Sequence, residues 1–167
     1  MNDKNGRVAL YAGSFDPVHY GHVDIANRAA RLFDHVVIGI VDRPSKSVLF
    51  SQEERVALFR DALNRESNIS VLGYSGLTVA YAKTLGATVL VRGLRAAPDF
   101  EYEHQLTGMN RHLQPDLETI FLMTSPERSH LSSSLIKEVA AQGVELLGLV
   151  PAHVATALTQ KLLASGV

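Results

Sequence analysis

The stretch Val8-Ala-Leu-Tyr-Ala12, followed by Gly13-Ser-Phe-Asp-Pro-Val-His-Tyr-Gly-His22 and then by Val23, Ala26, Ala30 and Phe33 at helical spacing, decides the fold. A short apolar run reads as a strand buried on both faces, and apolar residues at steps of three and four read as one face of a helix. The same alternation recurs, with apolar runs at His35–Val41, Ile69–Tyr74, Thr88–Val91 and Thr119–Met123. Between them, Ser51-Gln-Glu-Glu54 is a capping box that opens a helix over Glu53–Leu63. A third helix, Leu77–Leu85, stops at Gly86, a residue suited to a left-handed cap. Pro98-Asp99 opens a fourth that runs to about Leu113, Ser132–Ala141 stops at Gly143, and Pro151 opens a last helix reaching Ala164. This pattern predicts an α/β fold: a single Rossmann-like domain over residues 1–167, with a five-stranded parallel sheet flanked by helices.

In such sheets ligands bind outside the carboxyl ends of the strands, where helix N-termini also point. The loops placed there are Gly13–His22, Asp42–Lys46, Ser75–Thr78, Arg92–Arg95 and Thr124–Ser134, and they hold most of the unusual chemistry. In the first, Gly13 permits close approach to backbone, Ser14 adds a hydroxyl, and His19 and His22 sit three apart at a helix mouth, with Gly21 leaving room between them. Free amides and the dipole there favour phosphate and disfavour imidazolium, so both rings are expected as neutral donors. The Glu of a His-Glu-x-x-His metal helix is absent.

Arg43-Pro-Ser-Lys46 offers a lysine, and Arg92-Gly-Leu-Arg95 two arginines able to clamp phosphate. In Asp99-Phe-Glu-Tyr-Glu103, acidic residues suit a helix start, with one carboxylate open to a ribose or metal role. Arg128-Ser-His-Leu-Ser-Ser-Ser134 joins three hydroxyls to unpaired helix amides, an anion cradle, although capping alone needs only one serine. Ser134-Leu-Ile-Lys137 spells Ser-x-x-Lys, but the companion motifs of acyl-transfer serine enzymes are missing.

Composition narrows the function. With 16 Lys and Arg against 17 Asp and Glu, the formal charge is −1, which argues against a nucleic-acid coat and leaves phosphate contacts to a few placed cations. There is no cysteine, hence no disulfide scaffold, thiolate zinc site or cysteine nucleophile. The uncharged stretches Ser67–Ala82 and Leu146–Gln160 are broken by Gly73, Gly76, Pro151 and His153, so no membrane span is expected. Met1–Gly6 is polar and lacks the apolar region of a signal peptide, which makes a cytoplasmic location the expectation.

Taken in order, Gly13-Ser-Phe-Asp-Pro17 and His19-Tyr-Gly-His22 resemble the signature of the nucleotidylyltransferase superfamily. Pro44-Ser-Lys46, Val91-Arg-Gly-Leu-Arg-Ala96, Asp99-Phe-Glu-Tyr-Glu103 and Leu131-Ser-Ser-Ser134 narrow the resemblance to its phosphopantetheine adenylyltransferase family, over about Arg7 to Leu163. The resemblance implies transfer of an adenylyl group from ATP to 4′-phosphopantetheine, giving dephospho-coenzyme A and pyrophosphate, with Mg2+ held mainly through the ATP phosphates. It implies that His22 stabilises the transition state, with Lys46 and Arg92 as its catalytic companions. ATP would contact Ser14, Phe15, His22, Gly93, Leu94, Arg95, Glu103, Arg128, Ser129, His130, Leu131, Ser132, Ser133 and Ser134. Phosphopantetheine would contact Ser14, Lys46, Thr78 and Arg92, in a homohexamer. Ser14 stands where threonine is commoner, Gly76 where some members are acidic, and Arg128 where an aromatic is common. The competing readings are a nucleotidylyltransferase using nicotinate mononucleotide or CTP, and a catalytically idle nucleotide sensor.

Overall fold

The computed structural model describes residues 6–44, 47–63, 68–95 and 97–165. Five strands, β1 (Val8–Gly13), β2 (His35–Val41), β3 (Ile69–Tyr74), β4 (Val89–Leu94) and β5 (Glu118–Met123), form one parallel sheet in the order β3-β2-β1-β4-β5. Six helices connect or follow them: α1 (Tyr20–Ala30), α2 (Gln52–Ala62), α3 (Thr78–Thr84), α4 (Ala97–Leu113), α5 (Ser133–Ala141) and α6 (Ala152–Ser165). Side-chain alternation along β1 divides the core. Ala9 and Tyr11 face a layer containing Ile25 of α1, Phe59 of α2, Ile136 of α5 and Leu158 of α6, whereas Leu10 and Ala12 face Val79 and Ala82 of α3.

The capping box at Ser51 forms both of its bonds: Glu54 N–H donates to Ser51 Oγ, and Ser51 N–H donates to Glu54 Oε2. Gly86 and Gly143 take positive φ of 64° and 75° just past α3 and α5, as helix ends of this type require. Two boundaries differ in ways that matter. The first helix ends at Ala30, so Phe33 packs from the following turn. The fourth strand does not stop at Val91: Arg92, Gly93 and Leu94 pair in register with Phe121, Leu122 and Met123. An arginine inside a strand reads as a loop by composition, but here its charge is met by Glu103.

The order of the strands sets the position of the site. The chain winds from β1 through β2 to β3, then returns to the other side of β1 for β4, which makes the β1/β4 boundary the topological switch point.

Candidate active site

A cavity of about 500 Å³ opens at that boundary, within the range of small-molecule sites. Of the expected residues, Ser14, Phe15, His22, Arg92, Gly93, Arg95, Glu103, Leu131, Ser132, Ser133 and Ser134 line it. Leu94 is buried in the sheet, Thr78 lies elsewhere with its Oγ1 2.8 Å from Tyr74 Oη, and Arg128, Ser129 and His130 are outside the lining. Lys46 lies outside the described residues. Tyr11, Ala12 and Ile25, which the sequence reading gave no ligand role, also line it, together with Asp99, Tyr102 and Thr124 from stretches it did single out. Burial pushes the Tyr11 phenol well above its usual range, so it presents a neutral hydroxyl.

The two histidines divide their work. His19 is the N-cap of α1: its Nδ1 accepts from Gly21 N–H at 3.2 Å, while His22 Nδ1 accepts from His19 N–H at 3.3 Å. An accepting Nδ1 puts each ring proton on Nε2. The rings stack with centroids 3.6 Å apart, and Phe15 meets His22 edge-on at 4.9 Å. The glycine between them makes room for His19, since a Cβ at Gly21 would come 3.0 Å from that ring. Gly13 is likewise explained from within: a Cβ there would come 2.9 Å from the Phe15 ring, which is turned back over it by a φ of 48°.

The amides of α1 are not the anion site that its sequence suggested. Tyr20 N–H donates to the Leu149 carbonyl, Gly21 N–H to the His19 ring, and His22 and Val23 N–H to the His19 carbonyl. The open amides are those of α5. Ser132 Oγ caps it by accepting from Leu135 N–H, and Ser133 Oγ donates to the Pro17 carbonyl. With Ile136 N–H donating to the Ser132 carbonyl, this leaves the N–H groups of Ser133 and Ser134 and the exposed Ser134 hydroxyl at the cavity. Of the three serines, then, one caps, one ties two loops together and one remains available to a ligand.

Both arginines are held before any ligand arrives. Arg92 donates to Glu103 through Nε at 2.9 Å and Nη2 at 2.5 Å, and through Nη1 to the Ala12 carbonyl at 2.7 Å. Arg95 donates to both carboxylate oxygens of Asp99 at 3.0 Å, and through Nη1 to the Leu131 carbonyl at 3.2 Å. The acidic residues of Asp99–Glu103 therefore orient cations as well as suiting a helix start.

Beneath the loops lies a buried polar frame. Asp16 accepts from Leu49 and Phe50 N–H and pairs with Lys137 Nζ at 2.7 Å, which engages the lysine of Ser-x-x-Lys away from Ser134. Fully buried Arg55 donates to the carbonyls of Ser14, Val41, Asp42, Phe50 and Ser51, binding the loops after β1 and β2 together.

The His19 ring has a measurable signature. Burial, assisted by the Arg95 charge, lowers its pKa to about 3, so burial rather than the helix dipole is the main cause of its neutrality. Between about 6.5 and 3 the unfolded ring binds a proton that the native ring refuses. Stability should therefore fall as the pH drops through that window, by at most about 1.4 kcal/mol per pH unit. Urea unfolding of His19→Asn, which keeps a capping acceptor, is expected to show a shallower acid limb between about pH 6 and 4 than the parent. Equal slopes would mean that His19 is protonated in the fold.

Comparison with known proteins gives matches of three kinds. Residues 10–139 match the family model described as cytidylyltransferase-like. A phosphopantetheine adenylyltransferase from Alkaliphilus oremlandii (strain OhILAs) is 49% identical over 155 residues, spanning 93% of this chain and 99% of that protein. The solved structure of "a Putative Nicotinate-nucleotide Adenylyltransferase from Vibrio parahaemolyticus" superposes with a TM-score of 0.69 at 18% identity, covering 91% of this chain and 97% of that one, and thus shares the fold.

Proposed function

The chain belongs to the cytidylyltransferase-like family and, within it, to the phosphopantetheine adenylyltransferases, and from that premise we propose how its cavity works. The protein transfers the adenylyl group of ATP to 4′-phosphopantetheine, giving dephospho-coenzyme A and pyrophosphate. The observation that carries the site assignment is the convergence of His22, Arg92, Arg95 and the open N-terminus of α5 on one cavity at the switch point.

The acceptor needs no general base, because a phosphate monoester with its second pKa near about 6 is mostly dianionic at neutral pH. Catalysis is then the assembly of two anions in line and the stabilisation of charge at the α-phosphorus. Ser14, Arg92, Lys46 and Thr78 are assigned to the acceptor, with Arg92 already fixed in orientation by Glu103 and Ala12. His22 Nε2–H donates to an α-phosphate oxygen, while Arg95 and the α5 amides with Ser134 receive the nucleotide. Gly93 offers main chain at the cavity wall. The Leu94 side chain, turned into the core, is assigned no contact.

Mg2+ would enter on the nucleotide. The Ser14 and Ser134 hydroxyls at the cavity would help hold an ion bound chiefly by phosphates and water. Bound there, it would neutralise charge on the departing pyrophosphate.

We assign the reaction a single in-line displacement. Ser132 and Ser133 are committed to structure, Lys137 is engaged by Asp16, and there is no cysteine, so the acceptor's own phosphate is the ready nucleophile. ATP and CTP offered with phosphopantetheine or nicotinate mononucleotide test this, using ATP chiral at the α-phosphorus in the productive pair. The expected result is turnover with ATP and phosphopantetheine, and inverted product. Preference for CTP or the other acceptor would overturn the substrate assignment, no turnover would favour the idle sensor, and net retention would recast His22 as a nucleophile.

Two features of setting belong to the same proposal. Phe100, Met109 and Leu113 of α4 and Met123 of β5 are exposed apolar side chains, in keeping with a homohexamer; light scattering should find six copies of the 18.2 kDa chain. No described helix is long and apolar enough to cross a membrane, and a cytoplasmic location, checked by fractionation, is proposed.

A further inference from the structure

The segment between β5 and α5, Thr124–Ser132, meets α1 beside one carboxylate. Asp24 lies two residues beyond His22 on α1. Its Oδ2 accepts from Arg28 Nη1 at 3.2 Å, and its Oδ1 lies 3.2 Å from Arg128 Nη1. Arg28 Nη1 also donates to the carbonyl of Met123, the last residue of β5, at 2.6 Å. The Arg128 guanidinium lies 5.9 Å from the centre of the Tyr20 ring, one turn back on α1. The middle of the segment therefore reaches α1 through the Arg128–Asp24 pair, while Arg28, oriented by Asp24, holds the strand end just before it. Further along, Arg95 holds the Leu131 carbonyl and Ser133 holds that of Pro17. Asp24 itself does not line the cavity. Its side chain is 17% exposed against 37% and 40% for the two arginines, so the carboxylate is the sheltered member of the cluster.

We propose that Asp24 is a positioning residue that sets the distance between His22 on α1 and the open amides of α5, and with it the alignment of the nucleotide's α-phosphate against its leaving group. The proposal rests on reading that segment as part of the nucleotide site. It also accounts for Arg128, whose cation is spent on α1 rather than on the ligand. The arrangement is preorganisation: one partly exposed ionic contact holds a segment whose displacement by an ångström would misplace the triphosphate.

Asp24→Asn, Arg128→Met and the double variant test it in the full-length protein. Hydrogen exchange of the Thr124–Leu131 amides, with and without ATP, is read beside KM for each substrate. In Asp24→Asn these amides are expected to exchange faster while those of β1 and β4 are unchanged. KM for ATP should rise roughly three- to tenfold, the range such contacts supply, and KM for phosphopantetheine should stay within about twofold. The double variant should be no worse than Asp24→Asn, because both changes break one contact. Unchanged KM for ATP, additive losses, or equal changes for both substrates would overturn the positioning role. If ATP fails to slow exchange of these amides in the parent protein, the nucleotide-site reading fails and the proposal falls with it. If ATP does slow it and Asp24→Asn leaves KM unaltered, only the proposal fails.

Discussion

Replacing His22 by alanine is expected to lower kcat by about 10²–10³-fold, the usual cost of removing one preorganised transition-state donor, while ATP still binds. The orientation of the ring is over-determined. Its Nδ1 accepts from the His19 N–H, one face stacks on the His19 ring at 3.6 Å, and Phe15 abuts it edge-on at 4.9 Å. A donor held this way needs no reorganisation when charge develops on the α-phosphate, and water filling the alanine cavity would. The substitution also removes half of the α1 capping box, at a cost of about 1 kcal/mol, too little to unfold the protein. Single-turnover rates with saturating ATP, beside calorimetric titration of ATP, check this. A rate within a few-fold of the parent would mean that the ring is only a cap. His19→Ala should show the reverse pattern, losing stability before rate, because that ring accepts from Gly21 N–H and is almost fully buried.

The architecture was legible because its signals are local. The capping box at Ser51, the left-handed glycines at 86 and 143, and the alternation of apolar runs with helical periods each depend on neighbours within a few residues. The loops at the carboxyl ends of the strands were legible for the same reason, and three of the five, those after β1, β4 and β5, do meet at one cavity. What escaped was everything settled at long range. Whether the first amide of α1 was free depended on Leu149, more than a hundred residues from Tyr20, although His19 takes the next three locally. Arg55 follows two glutamates in a helix and reads as a solvated charge, yet it is fully buried with its guanidinium on five carbonyls. Asp16 reads as a turn residue before Pro17, but its partners are Leu49, Phe50 and Lys137. Gly13 and Gly21 were legible as glycines that something must approach; only the fold reveals that the approaching groups are Phe15 and His19.

Arg92→Met separates the two duties of that arginine. Its side chain is 25% exposed and that of Glu103 10%, and the pair is bidentate. Removing the cation leaves a sheltered carboxylate without its counter-charge and the Ala12 carbonyl without its donor, which should cost about 3 kcal/mol, the low end of the range for buried pairs because water reaches the edge of this one. For a domain of this length, that lowers Tm by about 6–12 °C. Affinity for phosphopantetheine should fall roughly 10²-fold, as expected for losing a charge-assisted contact to phosphate. Stability and affinity fall together in the single variant and so decide nothing alone. Adding Glu103→Leu removes the stranded carboxylate, and replacing an ion pair on both sides by apolar groups is often close to neutral. The double variant should therefore regain most of the Tm while its phosphopantetheine affinity stays low. Calorimetric titration of the acceptor, read against thermal unfolding of the same samples, gives the answer. If affinity returned together with Tm, Arg92 would be a strut between β4 and α4, and the acceptor's phosphate would have to be met by other cations of the site.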